Sequence, residues 1–178
     1  LEGEKKVKKN FHKILILRPS IVYSVDDNFT TFFMTLLNIF PFFPLYYNGN
    51  TKFSPIHSSD MAEIISIMIE NKINSQTIEC IGPEQITFKE IINNLLRSIN
   101  KKRLLIPIPL FLANISALFL ELLPKPLLTR DQLKLLKYDN IESGSFKTNF
   151  DLNIPSKLFF KNEINKYSYM WREGGQFS

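Results

Sequence analysis

The sequence predicts an α/β domain built on a mostly parallel sheet, and three features carry this prediction. Residues 14–17, Ile-Leu-Ile-Leu, are a continuous apolar run with β-branched members, which is typical of a strand buried on both faces. Arg18-Pro19 ends the run, because proline has no N–H to donate to a sheet. Further short apolar runs then alternate with helical patterns, as they do in parallel sheets.

The chain opens with charged, helix-forming sequence. Val7 and Phe11 lie one turn apart and predict an inward face for this first helix. Because neither a helix cap nor an initiator Met precedes it, we interpret Leu1 as lying within a helix. We therefore expect the sequence to be the C-terminal part of a longer domain.

The remaining elements follow from caps, apolar periodicity and turn residues. Helices are predicted over 29–39, capped by Asp27 or Asn28, and from about residue 156. Three capping boxes predict further helix starts, at Asp60 with Glu63, Thr87 with Glu90, and Thr129 with Gln132. Short strands are predicted over 53–57, 76–81 and 103–107, whereas Pro41 and Pro44 predict a broken segment after the second helix.

Composition narrows the function classes. With 44% hydrophobic and 22% charged residues, the chain is typical of a globular protein, and its 16 Phe favour contact with a partner or a membrane. The net charge of +5 does not predict nucleic-acid binding, because the lysines do not form a groove with interleaved aromatic residues. The lysine-rich residues 5–13 fit a solvated helix face, and the alternative is attraction to an anionic bilayer surface or an acidic partner. Two His and one Cys are too few for a metal site, and Cys80 is interpreted as a buried thiol.

The most apolar stretch, residues 110–123, is tested against a membrane span. It has 14 residues between two prolines, whereas about 20 are needed to cross a hydrocarbon core. It is therefore predicted to be a buried helix or a helix lying on a bilayer surface.

Several motifs together resemble a known family. They are Leu-Arg-Pro-Ser-Ile-Val-Tyr, Phe-Ser-Pro-Ile-His-Ser-Ser-Asp-Met-Ala-Glu and Gly-Pro-Glu-Gln-Ile-Thr-Phe, joined by the more specific Pro-Leu-Leu-Thr-Arg-Asp-Gln and the closing Gly-Gly-Gln-Phe. The whole chain resembles the C-terminal half of an atypical or extended short-chain dehydrogenase/reductase. Within that superfamily it is most similar to the NAD(P)H-binding accessory subunits of respiratory complex I and their bacterial relatives.

The resemblance implies a Rossmann-like fold that binds NADP or NAD. Pro19, Ser20 and Val22 match the family loop that wraps the nicotinamide end of the cofactor through backbone contacts, although Ser24 and Val25 stand where this branch has Gly and Pro. The family's glycine-rich phosphate turn and its catalytic Tyr-x-x-x-Lys pair are not among these 178 residues. No catalytic residue and no metal ligand is therefore assigned, and enzymatic activity is left open.

The resemblance also implies a domain organisation, a function and a cellular location. Residues 1–27 are expected to end the Rossmann part, and residues 28–178 to form mainly a smaller substrate-side lobe and a docking tail. The implied function is a non-catalytic accessory or assembly subunit of complex I. Its implied partners are other complex I subunits and a peripheral membrane surface, in the mitochondrial matrix or at the cytoplasmic face of a bacterial inner membrane. The alternatives are an NAD(P)-dependent sugar-nucleotide epimerase, dehydratase or carbonyl reductase, and a quinone-biosynthesis-associated reductase.

Overall fold

A computed structural model describes residues 2–109, 134 and 136–177. Its helices in this part of the chain are α1 (Glu2–Asn10), α2 (Thr30–Ile39), α3 (Ser58–Glu70), α4 (Phe88–Ser98) and α5 (Phe160–Tyr167). Its strands are β1 (Leu15–Pro19), β2 (Val22–Tyr23), β3 (Phe42–Tyr46), β4 (Lys52–Phe53), β5 (Ile56–His57), β6 (Gln76–Cys80), β7 (Ile86–Thr87), β8 (Leu104–Ile108) and β9 (Lys147–Thr148).

Parallel pairing dominates the sheets, as the sequence predicts. The largest sheet has the order β1-β6-β9 and is parallel throughout. Two small parallel pairs, β2 with β5 and β3 with β8, and the antiparallel pair of β4 with β7 complete the described ladders. Helix α3 joins β5 to β6 and packs by Ile64 and Met68 against the β1–β6 sheet.

A second, larger core holds most of the buried aromatic residues. Buried Phe43, Phe53 and Phe88 lie in it together with the apolar faces of α2, α4 and α5. The Phe33 ring contacts both Phe43 and Phe88, with centroid distances of 5.7 and 5.4 Å. The tail closes this core, because Trp171 is buried in it and donates its indole N–H to the hydroxyl of Thr35.

Two predicted helix starts have different outcomes. The capping box of Thr87 and Glu90 is confirmed, because the Thr87 hydroxyl accepts from the Glu90 N–H and the Glu90 carboxylate accepts from the Thr87 N–H. The capping box at Asp60 is wrong: His57 is the N-cap of α3, and its Nδ1 accepts from the Ser59 N–H. Asp60 points the other way, to the N–H groups of Lys157 and Leu158, both at 2.9 Å.

Three expectations about strands and helices need correction. The proline-containing segment predicted to be broken forms β3, which pairs with β8 along five residues despite Pro44. The strand predicted over 53–57 is divided into β4 and β5 by Ser54-Pro55. The last helix begins at Phe160, four residues after the predicted start, because Pro155 is followed by an extended segment that binds Asp60.

The predicted inward face of the first helix is also wrong. Helix α1 has no buried residue, with Val7 43% and Phe11 62% exposed. It is held to the sheet by polar contacts instead, through an ion pair of Glu4 with Arg18 and a hydrogen bond from Lys8 to Thr77. The lysines at its surface are exposed, as predicted.

The apolar stretch 110–123 and the capping box of Thr129 with Gln132 lie outside the described residues. Among the residues that are described, no helix has both the length and the apolar character needed to cross a membrane.

Of the six glycines, Gly82 is the one packed most closely against neighbouring backbone, and this contact can be tested. A Cβ atom there would lie 1.7 Å from the Pro55 carbonyl oxygen, so Gly82→Ala forces the β5 and β6 segments apart. We expect the free energy of unfolding to fall by about 3 kcal/mol in denaturant titration. Gly3→Ala is the control: no atom lies within 4 Å of its Cβ position, and alanine favours helix α1. Equal stability of the two variants would contradict the contact.

Candidate functional site

The chain leaves the central sheet at Pro19, the last residue of β1, and Ser20 fixes its exit. The Ser20 N–H donates to the Cys80 carbonyl at 3.0 Å, which extends the pairing of β1 with β6 by one residue. Its hydroxyl donates to the Asn140 carbonyl at 2.8 Å and accepts from the Ser54 N–H at 3.2 Å. Ser20 is therefore buried and joins three segments at the carboxyl edge of the sheet.

The next residues form a second, shorter ladder. The Ile56 N–H donates to the Ile21 carbonyl at 2.9 Å, and β2 then pairs with β5. The Tyr23 ring is fully buried against His57 and Phe160, and its hydroxyl donates to the Leu158 carbonyl at 3.2 Å. Burial raises the pKa of Tyr23 well above its ordinary value, so this phenol stays protonated and acts as a structural donor.

Asp27 closes the loop that follows β2. Its carboxylate accepts from the N–H groups of Ser24, Phe29 and Thr30 and from the Thr30 hydroxyl. The N-cap residue of α2 is Phe29, and not Asp27 or Asn28 as predicted, but the Asp27 carboxylate still satisfies free N–H groups at the start of the helix. The Thr30 hydroxyl lies 2.8 Å from that of Tyr167, which ties the loop to α5.

The three residues matched to the family's cofactor loop face different ways. Pro19 and Val22 are exposed, whereas the N–H and the hydroxyl of Ser20 are both used inside the protein. The loop thus offers apolar contacts and a backbone held in place by β2 and Asp27, with no charged group among the three residues. These apolar contacts suit an uncharged ring, such as the dihydronicotinamide of NADH or NADPH, and the three side chains offer no charge to bind phosphates.

A cleft of about 270 Å³ opens beyond β6, at the carboxyl ends of β6 and β9. Its lining includes Ser54, Gly82, Glu84, Glu142 and Asp151, and does not include Pro19, Ser20 or Val22. No motif in the sequence predicted this cleft. The only local signal is the Gly82-Pro83 pair directly after a predicted strand, which forms one wall of the cleft.

Two of the cleft's carboxylates have structural partners. Glu84 accepts from the Phe160 N–H at 2.8 Å, at the start of α5. Asp151 accepts from the N–H and the hydroxyl of Thr148, and these hydrogen bonds lower the pKa of Asp151. The described residues contain no cluster of His, Cys, Asp or Glu that could hold a metal ion.

Cys80 is buried at the end of β6, as predicted. Burial raises its thiol pKa to about 11, so the thiol is protonated at neutral pH and is no nucleophile there. The long-range role of Asp60 had no signal in the sequence, because its backbone partner at Lys157 lies 97 residues away.

Comparison with known proteins places these features in context. No protein-family model matches the chain. The chain is 27% identical to the mitochondrial NADH-ubiquinone oxidoreductase 40 kDa subunit of Neurospora crassa, over 85% of this chain and 40% of that protein. It is also 27% identical to the mitochondrial NADH dehydrogenase [ubiquinone] 1 alpha subcomplex subunit 9 of Dictyostelium discoideum, over 99% of this chain and 50% of that protein. The chain thus spans half the length of these relatives or less.

Solved structures share the fold at low identity. UDP-glucuronic acid 4-epimerase from Bacillus cereus, solved with UDP-glucuronic acid and NAD, matches with a TM-score of 0.58 and 18% identity, over 94% of this chain and 49% of that one. DesIV, a dTDP-glucose 4,6-dehydratase from Streptomyces venezuelae solved with NAD, matches with a TM-score of 0.57 and 15% identity, over 91% of this chain and 44% of that one.

These structures show that the chain shares its fold with about half of the UDP-glucuronic acid 4-epimerase and of the dTDP-glucose 4,6-dehydratase, which confirms the predicted α/β fold class. Among curated proteins, the chain is similar to the 40 kDa and alpha subcomplex 9 subunits of NADH-ubiquinone oxidoreductase, so the resemblance inferred from the sequence is confirmed.

Two serines at the carboxyl edge provide a matched test of the local geometry. Ser54 is fully buried, and its hydroxyl makes no hydrogen bond with the residues that the structure describes. Ser54→Ala should leave the free energy of unfolding unchanged or raise it by up to about 1 kcal/mol, whereas Ser20→Ala should lower it by about 1–2 kcal/mol. Thermal and urea unfolding measure both effects, and a larger loss at Ser54 than at Ser20 would contradict the hydrogen bonding described.

Proposed function

We propose that the chain belongs to an NAD(P)H-binding, non-catalytic accessory or assembly subunit of respiratory complex I. The observation that carries this proposal is the similarity to two subunits of NADH-ubiquinone oxidoreductase, one of them over 99% of the chain. The shared fold of the NAD-bound epimerase and dehydratase supports a dinucleotide as the cofactor.

The nucleotide contact within this chain is assigned to the loop after β1. Pro19 and Val22 provide exposed apolar surface at the carboxyl edge of a parallel sheet, where ligands of such folds bind. Ser20 positions that surface through its three internal hydrogen bonds. The glycine-rich turn that would hold the phosphates is not among these 178 residues, so the loop supplies only part of a site.

The domain organisation proposed from the sequence accompanies this assignment. Residues 1–27 complete the Rossmann part, and residues 28–178 supply mainly the smaller lobe and the tail. Within the described ladders, β1 pairs on one side only, with β6, and its other edge is available to a further strand. A parallel sheet extended at that edge would bring additional strand ends next to Pro19.

A nucleotide has a physical use in such a subunit without turnover. A ligand that binds only the folded state at about 100 times its dissociation constant stabilises that state by about 2.7 kcal/mol. This is a large part of the stability of an ordinary domain. The bound nucleotide then acts as a structural component that holds the loop after β1 in one conformation.

The proposed location follows from the same relatives, both of which are named as mitochondrial. In a mitochondrion the protein would lie on the matrix side, next to other complex I subunits, and in a bacterium it would lie at the cytoplasmic face of the inner membrane. A peripheral membrane surface is the second proposed partner.

Nucleotide binding and turnover by the full-length protein test the proposal. We expect NADH or NADPH to bind and to raise the melting temperature, without oxidation in the presence of carbonyl, quinone or sugar-nucleotide substrates. Val22→Asp should weaken binding about tenfold, because it places a carboxylate beside the nicotinamide contact. Val7→Asp is the control, since Val7 lies on α1, outside this loop, and is similarly exposed, at 43% against 37% for Val22.

Turnover of a sugar nucleotide, a carbonyl compound or a quinone precursor would overturn the non-catalytic assignment and move the protein to the corresponding class of reductase, epimerase or dehydratase. Absence of nucleotide binding would overturn the cofactor assignment. Failure to co-purify with complex I subunits would remove the proposed partner.

A further inference from the structure

One face of the paired strands β3 and β8 is apolar and exposed. Phe42 lies opposite Leu104 in the ladder, with Pro44 opposite Ile106 two residues further on. Side chains two residues apart in a strand share a face, so Phe42, Leu104 and Ile106 point to the same side. All three are exposed, whereas Phe43 and Leu45, on the opposite side of β3, are buried in the core.

The end of α2 extends this surface. Ile39 and Phe40 are exposed where the chain passes from α2 into β3. Pro41, the residue between Phe40 and β3, accepts a hydrogen bond from the Leu104 N–H through its carbonyl. The exposed fractions reach 67% at Ile39 and 66% at Leu104. We call the five exposed side chains Ile39, Phe40, Phe42, Leu104 and Ile106 the β3–β8 face. Large apolar side chains grouped in this way mark interaction surfaces on soluble domains.

The segments that form the β3–β8 face carry charges of one sign. Residues 28–51 and 91–109, which contain α2, β3, β8 and most of α4, include no Asp or Glu. They carry four basic residues, Arg97, Lys101, Lys102 and Arg103. These two segments therefore have a net charge of +4, in a chain whose net charge is +5.

Arg103 fixes the basic residues next to the apolar ones. Its guanidinium donates to the Leu37 carbonyl at 2.8 Å and to the Asn38 carbonyl at 3.1 Å, at the end of α2. Lys102 is exposed beside it, one residue from Arg103 and two from Leu104. The basic run 101–103 therefore lies at the border of the β3–β8 face.

We propose that the β3–β8 face docks on an anionic lipid bilayer, with its apolar side chains in the interface and the basic run on the lipid phosphates. Aromatic and aliphatic side chains bordered by lysine and arginine, without carboxylates to repel the headgroups, match the two attractions that hold peripheral proteins to such membranes. An acidic protein would also be attracted by the basic run, and the vesicle experiment distinguishes such a partner from a bilayer. The inference rests on the proposed membrane-associated role and specifies its surface.

Flotation of the full-length protein with lipid vesicles tests the docking surface. We expect binding to phosphatidylcholine vesicles that contain phosphatidylglycerol, little binding to pure phosphatidylcholine, and release at high salt. Leu104→Ser and Lys102→Glu should each weaken binding to the anionic vesicles about tenfold. The matched controls are Ile69→Ser, at an α3 position that is 67% exposed, and Lys5→Glu on exposed α1; both should bind as the unmodified chain does.

The outcomes separate this inference from the proposed function. Failure of the unmodified chain to bind anionic vesicles, or equal losses in the face and control variants, would overturn the lipid docking. So would variants of the β3–β8 face that bind vesicles normally but no longer co-purify with complex I subunits, since that result identifies a protein partner. Nucleotide binding measured on the same samples reports on the proposed function independently, and unchanged melting curves exclude misfolding of a variant.

Discussion

The parallel pairing of β1 with β6 is the constraint on which the rest of the molecule depends. Five residues of each strand are in register, and the Ser20 N–H adds one more hydrogen bond beyond Pro19. Because the strands are parallel, their carboxyl ends lie at one edge, which brings the loop after β1 next to Gly82 and the cleft after β6. The Ser20 hydroxyl forms hydrogen bonds with the backbone of Asn140 and Ser54 at this edge. The same ladder therefore positions both the proposed nucleotide contact and the cleft.

The lobe beyond this sheet is organised by aromatic packing. Phe33, Phe43 and Phe88 contact one another within the core of α2 and α4, and Trp171 fixes the tail against α2. Packing of one side of β3 into this core directs Phe42 and its neighbours outward. The unusual phenylalanine content therefore has two consequences, a well-filled core and an apolar surface at its border.

The sequence predicts elements whose determinants are local. Thr87 and Glu90 lie three residues apart and form the expected capping box, and the apolar run before Pro19 forms β1. Prediction fails where a residue's conformation depends on a partner far away in the sequence. Asp60 binds the backbone of residues 157–158 instead of capping its own helix. The strand β3 forms despite Pro44 because β8 pairs with it. The loop after β1 was matched to a family motif and is a proposed nucleotide contact, but the inward direction of Ser20 depends on Asn140 and Ser54, which no local pattern reveals.

Amide hydrogen exchange on the full-length protein, with and without NADH or NADPH, tests most directly whether the carboxyl edge at β1 is part of a nucleotide site. The account predicts slower exchange in residues 20–25 when the nucleotide is bound, since that segment would be covered and its local opening suppressed. Unchanged exchange in this segment, or protection confined to residues 82–85 of the cleft, would contradict the account.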